Sequence, residues 1–167
     1  MYVHRAPADG ERIIRPIREQ EYDLLNDFLY EAIFIPDGVQ KPPRDIIFQD
    51  ELQVYVRDFG TGKADYCFVA EADGKVVGAA WSRIMNDYGH IDEETPSLAV
   101  AVFEEYRGCG IGSALMESLL ETVKEGGYQA VSLSVQKANP AVRLYGRLGF
   151  HTVREEADEL IMRRDLL

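Results

Sequence analysis

The clearest hydrophobic pattern in the chain is a short apolar run followed by a periodic one. The run from Leu98 to Val102 carries β-branched residues and is bounded by Pro96 and by charged residues, which is typical of a buried strand. Apolar residues then recur at a spacing of four, at Ile111, Leu115, Leu119 and Val123, with Met116 and Leu120 widening the stripe. That spacing predicts an amphipathic helix. The strand and the helix are joined by a loop with three glycines at alternate positions.

The N-terminal part of the chain predicts one strand and one helix after a polar tail. Residues 1–11 are polar and are expected to be frayed or loosely attached. Residues 12–17 are apolar enough for a first strand, which Pro16 stops. Residues 19–33 carry one apolar face, which predicts a helix. That face consists of Tyr22, Leu25, Phe28, Leu29 and Ala32.

A second helix is predicted between residues 50 and 60. Asp50 and Gln53 have the spacing of a capping box, and Gly60 is a plausible residue to end the helix. The apolar face would be formed by Leu52, Tyr55, Val56 and Phe59.

The middle of the chain predicts an antiparallel meander. Residues 66–71 and 75–85 are strand-like, and the Asp73–Gly74 pair between them is a strong hairpin signal. A polar segment, residues 86–95, then leads into the strand that begins near Leu98. Three successive strands of this kind predict antiparallel neighbours in one sheet.

The C-terminal part predicts a strand, a short helix and a closing strand pair. Residues 129–135 alternate apolar and polar side chains. Asn139 and Pro140 are favoured at a helix start, and Gly149 would end that helix. Strands are predicted near residues 150–153 and 159–162. The element order predicts an α/β (α+β) fold with a mixed, mostly antiparallel central sheet and helices on both faces, in a single domain over residues 1–167.

Composition and charge narrow the class of protein. The 167 residues are 46% hydrophobic and 28% charged, as in an ordinary globular protein, with a net charge of −11. That balance argues against a nucleic-acid partner and suits a cationic amine, although it would equally serve solubility. No apolar run reaches 18 residues and the N-terminus lacks an apolar core, so neither a membrane partner nor a secretory signal is expected. We expect Cys67 and Cys109 to be reduced thiols, as in a cytoplasmic protein.

The glycine loop predicts a binding site for a phosphate-bearing ligand. Glycine permits close backbone approach, and the start of a helix exposes unpaired N–H groups at the positive end of its dipole. Arg107 at the mouth of the loop could add a charge-assisted contact. No lysine follows the glycines as in a P-loop, and their spacing differs from a dinucleotide fingerprint. For Cys109 we expect a contribution through its backbone N–H rather than as a nucleophile.

Two motifs resemble the GNAT superfamily of N-acetyltransferases. Arg107, Gly110 and Gly112 match its [RQ]-x-x-G-x-[GA] signature for acetyl-CoA. The segment from Asn139 to Phe150 resembles its A-x-x-L-Y-x-x-x-G-F element. The motifs stand in the right order, and the predicted element order resembles the GNAT fold along nearly the whole chain. The resemblance therefore implies acetyl-CoA as cosubstrate and no metal, and it makes a homodimer a fair expectation that no feature of the sequence demonstrates.

The resemblance also implies roles for individual residues. The strand before the glycine loop would splay from its parallel neighbour at a bulge, and the backbone of Val100 and Val102 would pair with the pantetheine arm. The pyrophosphate would bind N–H groups of Gly108, Cys109, Gly110, Ile111, Gly112 and Ser113. Asn139 would bond the pantetheine arm, although a plain helix cap is an equally good role. Tyr145 would protonate the departing thiolate, the alternative being a core aromatic.

The sequence offers several candidates for the general base and does not identify the acceptor. Glu93 and Glu94 precede the ligand strand and are the chosen base candidates, with Asp92 and His90 as neighbours and Ser134 as a residue that could orient a water. The resemblance assigns substrate recognition to a region that contains Phe34, Ile35, Tyr55, Trp81 and Tyr88. We expect transfer of an acetyl group to a primary amine of a small molecule or peptide. The alternatives are a non-catalytic acyl-CoA-binding regulatory module and, less favoured, a nucleotide-binding module.

Overall fold

The computed structural model describes residues 2–5 and 11–167, and the strands within them form one sheet. The sheet has eight strands in the order β1-β2-β3-β4-β5-β6-β8-β7. The strands are β1 Tyr2–Arg5, β2 Glu11–Pro16, β3 Tyr66–Ala72, β4 Lys75–Arg83, β5 Ser97–Val102, β6 Ala130–Gln136, β7 His151–Glu155 and β8 Glu159–Asp165. All neighbours pair antiparallel except β5 and β6, which are parallel. The predicted mixed, mostly antiparallel sheet is confirmed.

The meander from β2 to β5 follows the hairpin signal in the sequence. Asp73 and Gly74 both adopt positive φ, at 52° and 76°. Those angles are the ones a two-residue hairpin turn requires, and they match the right-handed twist of the strands. Ala72 therefore lies opposite Lys75, and the pairing continues along both strands.

The helices cover both faces of the sheet, as predicted. They are α1 Leu24–Glu31, α2 Asp50–Gln53, α3 Ile111–Glu125 and α4 Ala141–Arg147. One face, called here the α3 face, packs the periodic residues of α3 and Tyr145 of α4 against the larger core cluster. The other, called here the α1 face, packs Leu25 and Phe28 against Trp81. Because side chains alternate along a strand, β3, β4 and β5 contribute to both cores.

The predicted second helix is wrong in length. Only residues Asp50–Gln53 are α-helical, and turns continue to residue 60. The predicted capping box is also wrong, because the Gln53 side-chain amide donates instead to the carbonyl of Ile47 at 2.8 Å. The buried Arg83 side chain donates to the carbonyls of Val54 and Arg57, at 3.2 and 2.6 Å. These bonds satisfy carbonyl groups that a longer helix would have used internally.

The predicted loose N-terminus is wrong for residues 2–5. These residues form β1, which pairs antiparallel with β2, so that Tyr2 lies opposite Ile14. An edge strand offers a row of unpaired backbone groups, and β1 satisfies those of β2. For residues 1 and 6–10 the prediction lies outside the described residues.

Candidate functional site

The glycine loop, Arg107 to Ser113, turns the chain from β5 into α3. Gly108 and Gly110 have φ angles of 76° and 84°, in the left-handed region that residues with a Cβ avoid. Gly110 is the last residue before the helix, and its carbonyl accepts the first helical bond, from Ala114 N–H at 3.1 Å. The two glycines thus set the direction in which α3 leaves the loop.

The loop presents a row of unused N–H donors. Within the part of the chain that the structure describes, no backbone carbonyl accepts from the N–H groups of residues 108–113. Three of these groups belong to the first turn of α3, a fifteen-residue helix, where the dipole adds positive potential. Such donors are suited to an anion, and the assignment of this role to Gly108, Cys109, Gly110, Ile111, Gly112 and Ser113 stays a prediction.

Two arginines hold this loop in place. Arg107 donates from Nε to the Val102 carbonyl at 2.8 Å and from Nη2 to Glu31 at 3.2 Å, so it turns back onto β5 and α1. Arg12 is only 4% exposed and donates from Nη1 to the Cys109 carbonyl at 3.1 Å. Sequence reasoning missed Arg12. The available signal was its alternate spacing with Ile14, which places a guanidinium on the buried α3 face.

The parallel strands β5 and β6 separate almost at once. They share a single register pair, Ser97 with Ser132, called here the branch point, supported by a bond from Ser132 N–H to the Pro96 carbonyl at 3.0 Å. The β4–β5 register shows no shift, so the bulge implied by the resemblance is absent from this pairing. The splay is present without it.

The splay leaves one edge of β5 open. Phe103 N–H bonds to the Val77 carbonyl of β4, so by alternation the N–H and C=O groups of Val100 and Val102 point toward the gap. The Val102 carbonyl is already bonded to Arg107. Val100 and the Val102 N–H therefore offer hydrogen bonds to an extended ligand lying between the strands.

Tyr145 lies on the α3 face, in the core cluster that includes residues of β6. Its ring packs edge-on against Phe150 with the centroids 6.0 Å apart. Burial raises the pKa of Tyr145 to about 12, so the phenol keeps its proton at any working pH.

Asn139 acts at the start of the same helix. Its side-chain oxygen accepts from Ala141 N–H at 2.9 Å, which is a capping interaction. The amide nitrogen of Asn139 carries two further donors, which are the groups a ligand could use.

The acidic residues favoured as bases lie at the opposite end of β6 from its Asn139 end. Glu93 and Glu94 line a groove with Lys63 and Arg163, beside the residues that lead into β6. The Glu93 side chain is 82% exposed. Asp92 accepts bonds within its own loop, and His90 Nδ1 lies 2.8 Å from the Met85 carbonyl.

A different acid, Asp87, lies at the branch point. Its Oδ1 accepts from Ser97 Oγ at 2.8 Å, while Oδ2 is buried and has no hydrogen-bond partner among the described residues. The Tyr55 hydroxyl lies beside this carboxyl group and beside the hydroxyl of Ser134, and it makes no hydrogen bond to Oδ2. Burial raises the pKa of Asp87, and the nearby hydroxyls of Ser97 and Tyr55 and the Gly89 N–H oppose that shift. Burial also raises the pKa of Tyr55, and the charge of Asp87 adds to it.

Asp87 and Tyr145 occupy opposite faces of the sheet. Val131, Leu133 and Val135 of β6 pack in the α3-face core with Tyr145, so Ser132 and Ser134 point to the α1 face. Ser132 Oγ donates to the Gly89 carbonyl at 2.7 Å, which fixes the Asp87 loop over that second face. The Asp87 carboxylate and the core that contains Tyr145 thus lie on opposite faces of the sheet.

The expected recognition residues divide between core and surface. Trp81 is fully buried, and its Nε1 donates to the Tyr55 carbonyl at 2.9 Å. Tyr88 is 52% exposed, next to Asp87 in sequence. Phe34 and Ile35 are half-buried after α1. Of this set, the structure brings Tyr55 to the branch point.

No helix in residues 2–5 and 11–167 is long and apolar enough to cross a membrane. Within the same ranges, no group of three His, Cys, Asp or Glu side chains is placed to hold a metal ion.

Comparison with known proteins identifies the family. The sequence profile of the acetyltransferase (GNAT) family matches residues 25–150, and the chain belongs to this family. An N-alpha-acetyltransferase from Sulfurisphaera tokodaii is 38% identical over 96 residues, which are 52% of this chain and 57% of that protein. The chain therefore spans little more than half the length of that relative.

Solved structures confirm the fold. The GNAT domain of S. lividans PAT superposes with a TM-score of 0.69 at 18% identity, covering 98% of this chain and 96% of that one. The PaiA N-acetyltransferase from Thermoplasma acidophilum, solved in complex with coenzyme A, gives 0.67 at 18% identity, covering 92% of this chain and 98% of that one. The GNAT-like sheet expected from the two motifs is confirmed.

Proposed function

We propose that the protein is an acetyl-CoA-dependent N-acetyltransferase that transfers an acetyl group directly to a primary amine of a small molecule or peptide. The proposal is supported chiefly by the alignment of two sets of available hydrogen-bonding groups, one on the free edge of β5 and one in the glycine loop. The free edge of β5 runs from the branch point toward the glycine loop, where unused N–H donors surround a helix start. An elongated ligand with amides along its arm and a diphosphate at its end fits that order of groups.

The residues present fit acetyl-CoA. The diphosphate would be held by backbone N–H groups between Gly108 and Ser113, in a loop fixed by Arg12. The pantetheine amides would pair with the backbone of Val100 and Val102, and the free amide donors of Asn139 could reach the same arm. When bound, acetyl-CoA supplies an acetyl group already activated as a thioester.

Tyr145 would serve as the proton donor for the leaving sulfur. With its pKa raised to about 12, the phenol stays neutral and can donate a hydrogen bond. An ordinary thiol has a pKa near 8.5, so its thiolate alone would be too weak a base for this phenol. The apolar surroundings that raise the phenol pKa also raise that of a thiol, as burial does for Cys67. Burial of the leaving sulfur would therefore bring its pKa closer to that of the phenol, which favours proton donation.

The acceptor is proposed at the level of a primary amine. The relative from S. tokodaii is named N-alpha-acetyltransferase, which makes peptide N-terminal amines the first acceptors to test. The net charge of −11 supports a cationic acceptor. A cytoplasmic location and a homodimer remain part of the proposal from the family resemblance.

Calorimetry followed by a transfer assay tests the proposal. We expect acetyl-CoA and CoA to bind while ATP and NAD do not, and thiol to be released when peptide amines, polyamines or amino acids are added. Binding of acetyl-CoA with no thiol release across the panel would favour the non-catalytic acyl-CoA-binding module. Binding of ATP without CoA would favour a nucleotide-binding module and contradict the site assignment.

A further inference from the structure

We propose that Asp87 is the general base that receives the proton of the acceptor amine, and that the acceptor arrives as an ammonium ion on the α1 face. This inference rests on the proposed acetyl transfer. It assigns the base to a residue that none of the sequence motifs contains. Three structural observations support it.

The first observation is the position of the carboxylate. Ser97 donates to Asp87 Oδ1 at 2.8 Å, and Ser97 is the β5 residue of the branch point. The Asp87 loop is fixed to β6 by the Ser132–Gly89 bond of 2.7 Å. A Cβ on Gly89 would lie 3.0 Å from backbone atoms of β6, so loop and strand are in close contact there. Asp87 is therefore held where the ligand gap begins.

The second observation is the free oxygen. Asp87 Oδ2 is buried and has no partner in the part of the chain that the structure describes. A buried acceptor without a donor is unfavourable, so such atoms occur chiefly where a ligand or water completes them. An ammonium or amine N–H is the donor that the proposed reaction brings to this place.

The third observation is the arrangement across the sheet. Asp87 lies on the α1 face beside the start of β5, and Tyr145 lies in the α3-face core, so the two residues are on opposite faces of the sheet. In acyl transfer the nucleophile and the leaving group occupy different sides of the reacting carbonyl carbon. A base on one face and an acid on the other matches that requirement.

The surroundings favour a cationic acceptor. The groups that face Asp87 are the hydroxyls of Tyr55 and Ser97 and the Gly89 N–H, and the Glu159 carboxylate adds negative potential at Tyr55. Burial raises the pKa of Asp87, which brings it closer to that of an amine. A primary ammonium would be attracted to this environment before it loses its proton.

The proton balance of the reaction is complete with these two residues. The ammonium gives one proton to Asp87, which passes it to solvent. The amine lone pair then forms the C–N bond, and the C–S bond breaks. The second nitrogen proton, lost as the amide forms, balances the proton that Tyr145 gives to the sulfur.

The test compares Asp87→Asn with the parent protein and with Glu117→Gln. Glu117 is an exposed acid on α3, so its neutral variant controls for the change in net charge. We expect Asp87→Asn to lower kcat/KM for the amine by about 100- to 10,000-fold with unchanged acetyl-CoA affinity, and Glu117→Gln to match the parent. Thermal denaturation of each variant checks that the fold is kept.

A second readout separates a base from a structural residue. One peptide is used in two forms, with either its N-terminal amine or a single lysine amine left free. The α-amine has a pKa near 7.7–8.0 and the lysine amine one near 10.4, so the variant's deficit should be smaller for the α-amine and should shrink as pH rises. In addition, Ser97→Ala removes a bond that lowers the pKa of Asp87, so the acidic limb of the activity profile should move to higher pH.

The outcomes distinguish the two proposals. An active parent with an equally active Asp87→Asn, or a loss that appears in Glu93→Gln or Glu94→Gln instead, would overturn Asp87 as the base and leave the transferase proposal standing. A deficit that is identical for both amines at every pH would also overturn it. A parent that binds acetyl-CoA but acetylates no amine would overturn the transferase proposal itself, and this inference with it.

Discussion

Replacing Gly110 by alanine tests the glycine loop without introducing a clash. Gly110 has φ of 84°, and a Cβ built there meets no atom within 4 Å. The whole cost is therefore backbone strain, which for an L-residue in the left-handed region is roughly 1–2 kcal/mol. If the loop of the variant keeps its conformation, the protein loses about 1–2 kcal/mol of stability. If the loop relaxes instead, its N–H groups lose their alignment. The loop is exposed and few of its backbone groups are paired, so we expect relaxation.

The expected magnitude follows from that strain. If acetyl-CoA must restore the parent loop on binding, its affinity falls by about 5- to 30-fold, since 1.4 kcal/mol corresponds to a factor of ten. Gly127→Ala is the matched control, because Gly127 follows the other end of α3 with φ of 95° and also has no atom within 4 Å. Calorimetry should show weaker acetyl-CoA binding only for Gly110→Ala. Equal affinities in the two variants would refute the assignment of the loop as the diphosphate site.

Three further changes are expected to have separable effects. Tyr145→Phe should lower kcat by about 100-fold and leave acetyl-CoA affinity unchanged, because the ring and its packing remain; an unchanged kcat would exclude Tyr145 as the acid. Gly89→Ala should place a Cβ 3.0 Å from the β6 backbone, a strain of roughly 1–3 kcal/mol, and should reduce amine turnover without affecting acetyl-CoA binding in calorimetry. The bond from Arg15 lowers the pKa of Glu21 from 4.5 to about 2, so the ionised form stabilises the fold above that range and its contribution is lost as pH falls from about 4.5 to 2. The difference in melting temperature between the parent and Glu21→Gln should shrink over that interval, and a constant difference would contradict the linkage.

The elements that could be predicted are those whose signal is local. The four-residue spacing of α3 and the Asp73–Gly74 turn depend on nearby residues, and both were found where expected. The prediction of the second helix was wrong because the apolar spacing continues to Phe59, whereas the helical backbone ends at Gln53. Distant Arg83 satisfies the carbonyls of Val54 and Arg57, so the chain can leave the helix after Gln53. Nothing local to residues 50–60 carries that information.

The residues of the candidate site also differ in whether the sequence alone could predict them. The glycine loop could be predicted because a strand, three glycines and a helix are contiguous in sequence. Asp87 could not, because its neighbours Asp92 and Glu93 are also acids in a polar segment before β5. What separates Asp87 is its contact with Ser97 and its burial beneath a loop fixed to β6, which are consequences of tertiary packing. Arg12 was missed for a similar reason, since its carbonyl partner is 97 residues away.

The open edge of β5 has a consequence for how sequences of this kind can diverge. Its hydrogen-bonding groups belong to the main chain, so any residue except proline could supply them at positions 100 and 102. Mutation can therefore replace the side chains there while the groups offered to a ligand stay the same. Side-chain chemistry such as that of Asp87 has no such freedom. Over long periods the ligand edge is thus expected to persist through near-complete turnover of sequence, while acceptor preference can change through a few substitutions on the α1 face. The TM-score of 0.69 at 18% identity shows a fold kept under that degree of turnover.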